Sequence, residues 1–435
     1  MIFMKKDSFF QKDGVKTLLA SLISILIGML SGVVVIIIVG IFNESISAGG
    51  IWDGIRLVFL GVFNKARDAA TGTLMFGFNP TYMGNMLFRA MPLILTGLSV
   101  AIAYKTGLFN IGAPGQYLAG TCATLFLALS IPTSSVPAWL VWLIAFLGGM
   151  LAGALWGCIP GLLKSLLNIN EVIACIMTNW LSASLVTWFF DMSSLKNVLE
   201  GTKTGYIYKT SMVINDVIVD GVQTVAGSSI PEGATVLATR GGVATSKMGL
   251  DILFKGSQVN GGFIVAVLLA ILFYVIMEKT TLGYQLKACG SNRFAAKYAG
   301  IQDRRNIVLS MALAGAMAGA AGSLYSLSGN TEFFWTTYQS LPAVGFTGIA
   351  VALLAMNNPI GVIFSGIFMS YLNINGQQLT NLTAYNEYIT DVIIAVIVYL
   401  SAFSLIVKTW LNHKRKKKTV SPAGGAAAHK EEVQG

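Results

Sequence analysis

The chain has 435 residues, of which 54% are hydrophobic and 11% are charged, and its formal net charge is +10. A soluble globular protein carries about 25% charged residues, so this composition excludes an ordinary soluble domain and indicates a membrane protein. The positive charge is concentrated in residues 1–16, residues 278–305 and the tail from His413 to Lys418. Short loops rich in Lys and Arg stay in the cytoplasm, so we expect these segments there and expect no nucleic-acid partner.

The residue types that several enzyme classes need are missing from the apolar part of the chain. Both histidines, His413 and His429, lie in the tail, which excludes histidine-dependent triads and HExxH metalloenzymes. The four cysteines lack metal-ligand spacing, and no GxxxxGK[ST] phosphate-binding loop occurs. We therefore expect no catalytic residues, no metal, no bound cofactor and no ATPase site in this chain.

Ten apolar runs predict an all-α polytopic membrane protein with about ten transmembrane helices. Two cytoplasmic termini require an even number of spans, which agrees with this count. The first run is too long for the apolar core of a signal peptide, so it is expected to be retained as a span. The runs are 17–42, 84–104, 112–131, 138–162, 171–190, 258–277, 306–328, 341–357, 359–374 and 388–408.

The spans divide the chain into a cytoplasmic N-terminus (1–16), a membrane domain (17–408) and a basic, disordered cytoplasmic tail (409–435). Two long segments, 43–83 and 191–257, are then extracellular. The first contains an apolar stripe at helical spacing over 51–69, which predicts a helix lying on the outer membrane surface. The second is polar and rich in Gly, Thr and Val, which indicates a small lobe with short strands and an amphipathic helix.

Small residues recur at four-residue spacing in two of the spans. The stretches are "FLGGMLAGALWG" (146–157) and "LAGAMAGAAG" (313–322). In lipid, helices associate through close packing rather than through a hydrophobic driving force. These stretches therefore predict a tightly packed bundle.

A polar break, "GLFNIGAPGQYLAG" (107–120), separates the second and third runs. Backbone groups released from a helix cost several kcal/mol each in lipid, unless protein or a water-filled path satisfies them. The break predicts a broken or re-entrant segment near 107–116, a feature that marks substrate sites in several transporter folds. A tight cytoplasmic turn with Lys105 at its edge is the alternative.

The stretch "NINEVIACIMTNWL" (168–181) opens the fifth span. Glu171 is expected to cap its cytoplasmic start, where a carboxylate interacts favourably with the helix dipole. Thr178 and Asn179 lie about two turns deeper. They are interpreted either as interhelical hydrogen-bonding groups or as part of a polar patch along a solute path.

The basic stretch 280–306 joins two spans on the cytoplasmic side. Ser291 is expected to N-cap a short helix that contains Ala295, Ala296 and Lys297, and Gly300 stands where a C-cap belongs. A rigid helix offers a surface for another protein to push against. The alternative is a basic loop that only fixes the orientation of the chain.

Four stretches in this order resemble the signature segments of one family, the permease subunits of bacterial ABC importers of the ribose or simple-sugar type. The resemblance is closest to the nucleoside-transport branch and covers about residues 84–190 and 258–375. The family more often has Glu where Pro114 stands, so no charge-based role is transferred to that position. The stretches are "RAMPLILTGLSVAIAYKTGLFNIGAPGQYLAG" (89–120), "NEVIACIMTNWL" (170–181), "TTLGYQLKACGSNRFAAKYAGI" (280–301) and "GFTGIAVALLAMNNPIG" (345–361).

The resemblance implies a subunit of an ATP-driven importer in the bacterial plasma membrane. Two cytoplasmic ATPase subunits would bind ATP and Mg²⁺, a second permease of the same or a related chain would complete the pathway, and an external lipoprotein would deliver the solute. Membrane lipids surround the chain, and the basic tail is expected to contact acidic headgroups. The solute would be a nucleoside, with a simple sugar as the alternative. An ion-coupled carrier is a weaker alternative because Asp391 is the one carboxylate clearly inside an apolar run.

The resemblance also assigns site residues. The segment that seats in the ATPase would consist of Ser291, Ala295, Ala296, Tyr298 and Gly300. The substrate pathway is predicted at four further residues: Phe109, as an aromatic wall for a base or sugar face, and the amides Asn110, Gln116 and Asn179.

Overall fold

The computed structural model describes residues 13–68, 70–131, 135–193, 195, 210–214, 217–222, 235–237, 243–330, 333–334, 340–401 and 409. The predicted tail 409–435 lies almost entirely outside these residues. Along the described chain run the helices α1 Asp13–Phe42, α2 Ala48–Leu60, α3 Pro80–Lys105, α4 Ala113–Ser130, α5 Ala138–Leu167, α6 Glu171–Met192, α7 Leu250–Leu253, α8 Gly262–Lys279, α9 Thr281–Ser291, α10 Arg293–Tyr298, α11 Asp303–Ser326, α12 Ala343–Leu354, α13 Pro359–Leu382 and α14 Glu387–Ser401.

The predicted all-α polytopic fold is confirmed, and each of the ten apolar runs contains a helix. Six of the described helices are long and apolar enough to cross a membrane, namely α1, α3, α5, α6, α8 and α11. The run 341–357, however, was wrongly predicted as a span, because α12 has only 12 residues. At 1.5 Å per residue it is about 18 Å long, well short of the roughly 30 Å of a bilayer core.

The described residues also form two small sheets between the helices. Strands β1 Asn64–Arg67 and β2 Leu74–Phe76 form an antiparallel hairpin. Strands β3 Thr210–Ile214, β4 Val217–Val222 and β5 Thr235–Leu237 form an antiparallel sheet in the order β4-β3-β5. The short strands expected in 191–257 are therefore present. Among the described residues of this segment the helix is the single turn of α7, which is too short to be amphipathic.

The prediction of a surface helix over 51–69 is wrong, because this stretch contains most of helix α2 and the first strand of a hairpin. The helix ends at Leu60, and the chain continues as a short 3₁₀ turn into β1. Its apolar side, with Leu57 and Val58 buried, packs against the bundle rather than facing a membrane surface. Asn375 of α13 fixes this arrangement, because its amide donates to the Val58 carbonyl (2.8 Å) and accepts from the Val62 backbone N–H (2.7 Å).

The two ends of the bundle differ in charge. One end, called the basic end below, carries α9, α10, Lys105 at the end of α3 and Lys164 in the last turn of α5. The other, the opposite end, carries α2 and the β1–β2 hairpin. Helix α3 runs between them through the centre, and every residue from Ala90 to Ala103 is buried. A helix that is apolar all round belongs in the interior, and α3 contacts α8, α11, α12 and α13.

Glycines set the packing of α5 against α11, as their spacing predicted. A Cβ added to Gly153 would lie 2.4 Å from the Gly315 carbonyl oxygen, and one added to Gly157 would lie 2.4 Å from that of Met311. In the same antiparallel register, a Cβ on Gly319 would lie 2.5 Å from the Gly149 carbonyl oxygen. The two backbones touch along about three turns, which only residues without a side chain permit.

Candidate functional site

The segment between α3 and α4 turns back into the bundle. Gly107, at φ +74°, reverses the chain just after α3 ends at Lys105. Asn110 is then fully buried, and its Nδ2 donates to Ser99 Oγ at 2.9 Å. Ser99 lies six residues before the end of α3, about 9 Å inside the bundle. The predicted re-entrant segment is therefore present, and the alternative of a tight turn at the surface does not fit.

Asn110 and Gln116 hold this segment together with paired amide hydrogen bonds. Asn110 Nδ2 donates to Gln116 Oε1 (2.8 Å), and Gln116 Nε2 donates back to Asn110 Oδ1 (3.1 Å). Asn110 Oδ1 also accepts from the Gly112 backbone N–H at 3.0 Å. The side chains thus replace the hydrogen bonds that the backbone gives up by leaving the helix.

Helix α6 completes this network from the other side. Asn179 Oδ1 accepts from the Gly115 backbone N–H (2.9 Å), and its Nδ2 donates to the Ile111 carbonyl (3.0 Å). One turn on, Ser182 Oγ donates to the Gly115 carbonyl at 2.8 Å. Asn179 is 1% exposed, as is Gln116, so the whole network is shielded from solvent in the isolated chain.

Three of the four predicted pathway residues join one hydrogen-bond network, and the side chain of the fourth, Phe109, lies outside it. Asn110, Gln116 and Asn179 all belong to the amide network, where their hydrogen-bonding groups bind backbone or one another. Phe109 is partly buried and packs against the main hydrophobic core. The polar residues are thus positioned to fix the break, and a role in contacting solute stays a prediction.

Helix α12 begins next to the start of α4. A Cβ on Gly345 would lie 2.6 Å from the Pro114 backbone nitrogen, so the first turns of both helices touch. Thr96 in the middle of α3 donates its hydroxyl to the Val344 carbonyl at 3.2 Å. Two helices therefore start inside the bundle rather than at its ends. Broken helices that meet in this way form the binding sites of several transporters.

The start of α6 is capped differently from the expectation. Asn170, not Glu171, is the N-cap, and its Oδ1 accepts from the Val172 backbone N–H at 2.8 Å. Glu171 occupies the first turn and pairs with Lys164 of α5 at 2.9 Å. The carboxylate therefore stands at the helix start as expected, but it ties α5 to α6 instead of capping.

At the basic end, α9 and α10 form the expected short helices with one shifted boundary. Ser291 is the last residue of α9, so the predicted N-cap is wrong by one position. Asn292 caps α10, and its Oδ1 accepts from the Ala295 backbone N–H at 3.0 Å. Gly300, at φ +79°, ends α10, and the Ile301 N–H bonds to the Ala296 carbonyl in a Schellman motif.

Helix α10 carries two solvent-exposed aromatic side chains. Phe294 is 76% exposed and Tyr298 is 94% exposed, whereas Ala296 is buried beneath them. Ala295, Ser291 and Gly300 are also exposed. An open groove of about 790 Å³ beside the helix has four basic residues in its lining, Arg293, Lys297, Arg304 and Arg305, and one acidic residue, Asp303. Aromatic residues and Arg are the types that most often carry binding energy in protein interfaces.

The surface formed by α9 and α10 is joined directly to the re-entrant segment. Gly290 of α9 lies against Gly107, where an added Cβ would be 2.8 Å from the Gly107 nitrogen. Beside this contact, Glu278 accepts from Lys105 Nζ and from Lys287 Nζ, each at 2.8 Å. The Thr106 hydroxyl also contacts Ser310 of α11. A displacement of α9 would therefore press on the backbone that leads into the amide network.

Two features of the site were not predicted from the sequence, namely the contact between Gly107 and Gly290 and the position of Arg89 inside the bundle. The contact between Gly107 and Gly290 joins residues far apart in the chain, and no local pattern reveals it. Arg89 is the first residue of the family-like stretch 89–120, and no role was predicted for it. Its signal was available, because among the described membrane-crossing helices it is the one Lys or Arg that lies more than one turn from a helix end.

A bundle of apolar helices with helix starts buried in its interior and a rigid basic helix pair at one end defines a multi-pass membrane transport protein. The chain belongs to the permease family described as "Branched-chain amino acid transport system / permease component", which matches residues 82–402. The match begins with α3 and runs through α14. It confirms the permease resemblance that the four motifs predicted, and the chain is a transport subunit of the plasma membrane.

Characterised relatives extend the likeness over nearly the whole chain. The nucleoside ABC transporter permease protein NupB of Lactococcus lactis is 33% identical over 91% of this chain and 93% of its own length. The guanosine ABC transporter permease protein NupP of Bacillus subtilis is 30% identical over 92% and 97%. The glucose ABC transporter permease protein TsgB13 of Haloferax volcanii is 29% identical over 72% and 74%. No solved structure matches the chain.

Proposed function

We propose that this chain is the permease subunit of an ATP-driven ABC importer and forms the translocation pathway for nucleosides. The observation that carries the proposal is the near full-length similarity to permeases named for nucleoside and guanosine transport. Basic loops stay in the cytoplasm, so the basic end faces inward and the end with the β1–β2 hairpin faces outward.

The ATP that drives transport is hydrolysed by partner subunits. Two cytoplasmic ATPase subunits bind ATP and Mg²⁺ and hydrolyse the nucleotide, and this chain contributes no ATPase site. Helix α10 seats in the ATPase, with Phe294 and Tyr298 as anchors and Gly300 fixing the direction in which the chain leaves the contact. The groove beside Phe294 contains Lys297, Arg304 and Arg305, and this positive charge suits an acidic partner surface.

Movement of the ATPase reaches the pathway through a short route. A shift of α10 moves α9, and Gly290 of α9 pushes on Gly107 at the start of the re-entrant segment. The amides of Asn110, Gln116 and Asn179 make that segment one rigid piece with the first turn of α4. The re-entrant segment therefore moves as one unit when the cytoplasmic end of the pathway opens or closes. Phe109 moves with it and lines the pathway.

The remaining partners follow from the same assignment. A second permease, the same chain or a related one, completes the pathway, and an external binding lipoprotein delivers the solute to the outward end. Simple sugars are the alternative solutes, supported by the similarity to a glucose permease. An ion-coupled carrier has less support, since the described centre of the bundle around α3 contains no carboxylate.

The test combines purification and uptake. The detergent-solubilised chain is isolated from its native membrane with its bound partners, reconstituted in liposomes, and supplied with its binding protein, ATP and labelled guanosine, ribose or glucose. We expect an ATPase with Walker motifs to copurify, and guanosine uptake to require ATP. Uptake that persists without ATP would favour an ion-coupled carrier. Uptake of ribose or glucose but not of guanosine would show that the solute is a sugar and not a nucleoside.

A further inference from the structure

One cation, Arg89, lies inside the helix bundle, far from both ends of its helix. It is the tenth residue of α3, about 14 Å from the start of the helix. Charged side chains at such depth are costly, and they persist where they face a water-filled cavity or a partner. Within the described part of the chain, Arg89 makes no hydrogen bond and no ion pair, although Tyr325 of α11 lies within electrostatic range.

The position of Arg89 on α3 shows what it faces. Thr96 lies two turns further along the same face, because seven residues return almost to the same direction on a helix. That face meets the start of α12 at Thr96, where its hydroxyl bonds to the Val344 carbonyl. Arg89 stands about 10 Å beyond this point, past the first residue of α12, so α12 does not cover it.

The guanidinium therefore points toward the outward-facing part of the bundle. Side chains on a helix lean toward its N-terminus, which for α3 is the opposite end. One turn above Arg89, Asn85 Oδ1 accepts from the Gln258 N–H (2.9 Å), and the Gln258 carbonyl accepts from Asn330 Nδ2 (2.8 Å). These bonds tie the outer ends of α3, α8 and α11 into a rim. Arg89 lies directly beneath this rim.

An aromatic surface adjoins the cation. Phe88 and Tyr325 stack with their ring centres 5.8 Å apart and their planes 22° apart. Phe88 is buried, with 2% of its surface exposed, so its ring is a firm support for the Tyr325 ring stacked on it. Tyr325 itself is only partly buried. The site therefore combines a flat ring with a charged fork of N–H donors that no group of the described chain occupies.

We propose that Arg89 and Tyr325 form a contact site for the nucleobase in the outer half of the pathway, where the guanidinium donates to a carbonyl oxygen on the base edge while the base lies along the aromatic ring. The inference rests on the proposed function. An Arg fork fits the adjacent oxygen and nitrogen acceptors of an oxo-purine such as guanine, whereas adenine presents an amino group in place of that oxygen. The site therefore favours oxo-nucleosides and repels cations.

The experiment uses the complete transporter in liposomes with its own binding protein. The maximal ATP-driven uptake of labelled guanosine and of labelled adenosine is measured at saturating solute, so that delivery does not limit the rate. Arg89→Gln keeps a polar, uncharged N–H donor on a shorter side chain but loses the charged fork. We expect the ratio of guanosine to adenosine uptake to fall about tenfold in Arg89→Gln, and to fall less in Arg89→Lys.

Arg56→Gln is the matched control, since Arg56 lies on α2, contacts the Phe76 ring and donates to the Leu74 carbonyl. This variant should leave the uptake ratio unchanged. An unchanged ratio in Arg89→Gln, or an equal loss of both solutes together with a lower melting temperature, would overturn the proposal and leave Arg89 a structural role. Failure of the wild-type transporter to take up either nucleoside would instead contradict the proposed function.

Discussion

Gly290 of α9 meets Gly107 of the re-entrant segment backbone to backbone, so that a Cβ on Gly290 would lie 2.8 Å from the Gly107 nitrogen and 2.6 Å from the Thr106 carbonyl carbon. No side chain separates the surface proposed to receive the ATPase from the segment proposed to gate the pathway. Contacts between backbones are stiff, because no rotamer change can absorb a displacement. The pair is therefore suited to transmit a small movement.

Gly290→Val should separate ATP hydrolysis from transport. The added side chain cannot fit against Thr106 and Gly107, so α9 must move away from the re-entrant segment. We expect the reconstituted complex to hydrolyse ATP while the number of solute molecules imported per ATP falls at least fivefold. Gln285→Val, at an exposed position of the same helix, is the control for the β-branched residue. Normal import by Gly290→Val would contradict the proposed route.

Gly153→Ala should destabilise the bundle. The new Cβ would lie 2.4 Å from the Gly315 carbonyl oxygen, so α5 and α11 must separate. Overpacking of this kind costs about 1–3 kcal/mol, and a lower melting temperature in detergent would show it. In the matched variant Gly49→Ala the nearest atom lies 3.8 Å away, and no loss of stability is expected. Equal melting temperatures for the two variants would mean that the glycine contact does not limit stability.

Asn179→Ala distinguishes a structural from a solute-contacting amide network. The change leaves the Gly115 N–H and the Ile111 carbonyl without their hydrogen bonds, at a cost of about 1–3 kcal/mol each. We expect a lower melting temperature and a loss of uptake with little change in KM. Asn43→Ala, near the end of α1, loses only an exposed hydrogen bond from the Ser45 N–H and should leave the melting temperature, the uptake and the KM unchanged. A raised KM at unchanged stability would show instead that Asn179 contacts the solute.

Tyr298→Ala should weaken binding of the ATPase. The ring is 94% exposed on α10, and truncation of an aromatic anchor at the centre of an interface costs about 2 kcal/mol or more, about a thirtyfold loss of affinity. The amount of ATPase recovered with the purified permease measures this loss. Tyr388→Ala on α14, where the ring is 79% exposed, provides a tyrosine control away from the basic end. Equal recovery with both variants would remove α10 from the interface.

Single cysteines can establish the orientation of the chain. Ser291→Cys, between α9 and α10, should react with a membrane-impermeant thiol reagent only after the cells are opened. Thr71→Cys, in the hairpin loop between β1 and β2, should react in intact cells. Both side chains are exposed, so access of the reagent depends on the side of the membrane. The reverse pattern would invert the assignment of the basic end to the cytoplasm.

Local sequence features predicted most of the helices but not how each one ends. Ser291 and Asn292 are both good N-cap residues, and the choice between them depended on how far α9 extends. The apolar stretch 341–357 has the composition of a span. Its helix is short because Gly345 packs on Pro114 and starts α12 inside the bundle, a contact between residues more than 200 positions apart.

The pathway residues illustrate the same limit. Asn110, Gln116 and Asn179 were recognised because polar amides are unusual in apolar runs, and the structure does place them together. Their hydrogen-bond partners, mainly the backbone of residues 111–115, could not be read from the sequence. Arg89 shows the reverse case. Its position in the sequence was visible, but only the location of the start of α12 shows that its face of α3 is left uncovered by that helix.

The sequence by itself determined that this protein lies in a membrane, where its helices run, and which family it belongs to. Hydrophobicity, glycine spacing and short motifs are local properties, and they act before any tertiary contact forms. The tertiary structure alone decided that two helices start inside the bundle and that Gly107 meets Gly290. Such contacts depend on how the helices pack, because a buried polar group finds its partner wherever the fold brings one within hydrogen-bonding distance.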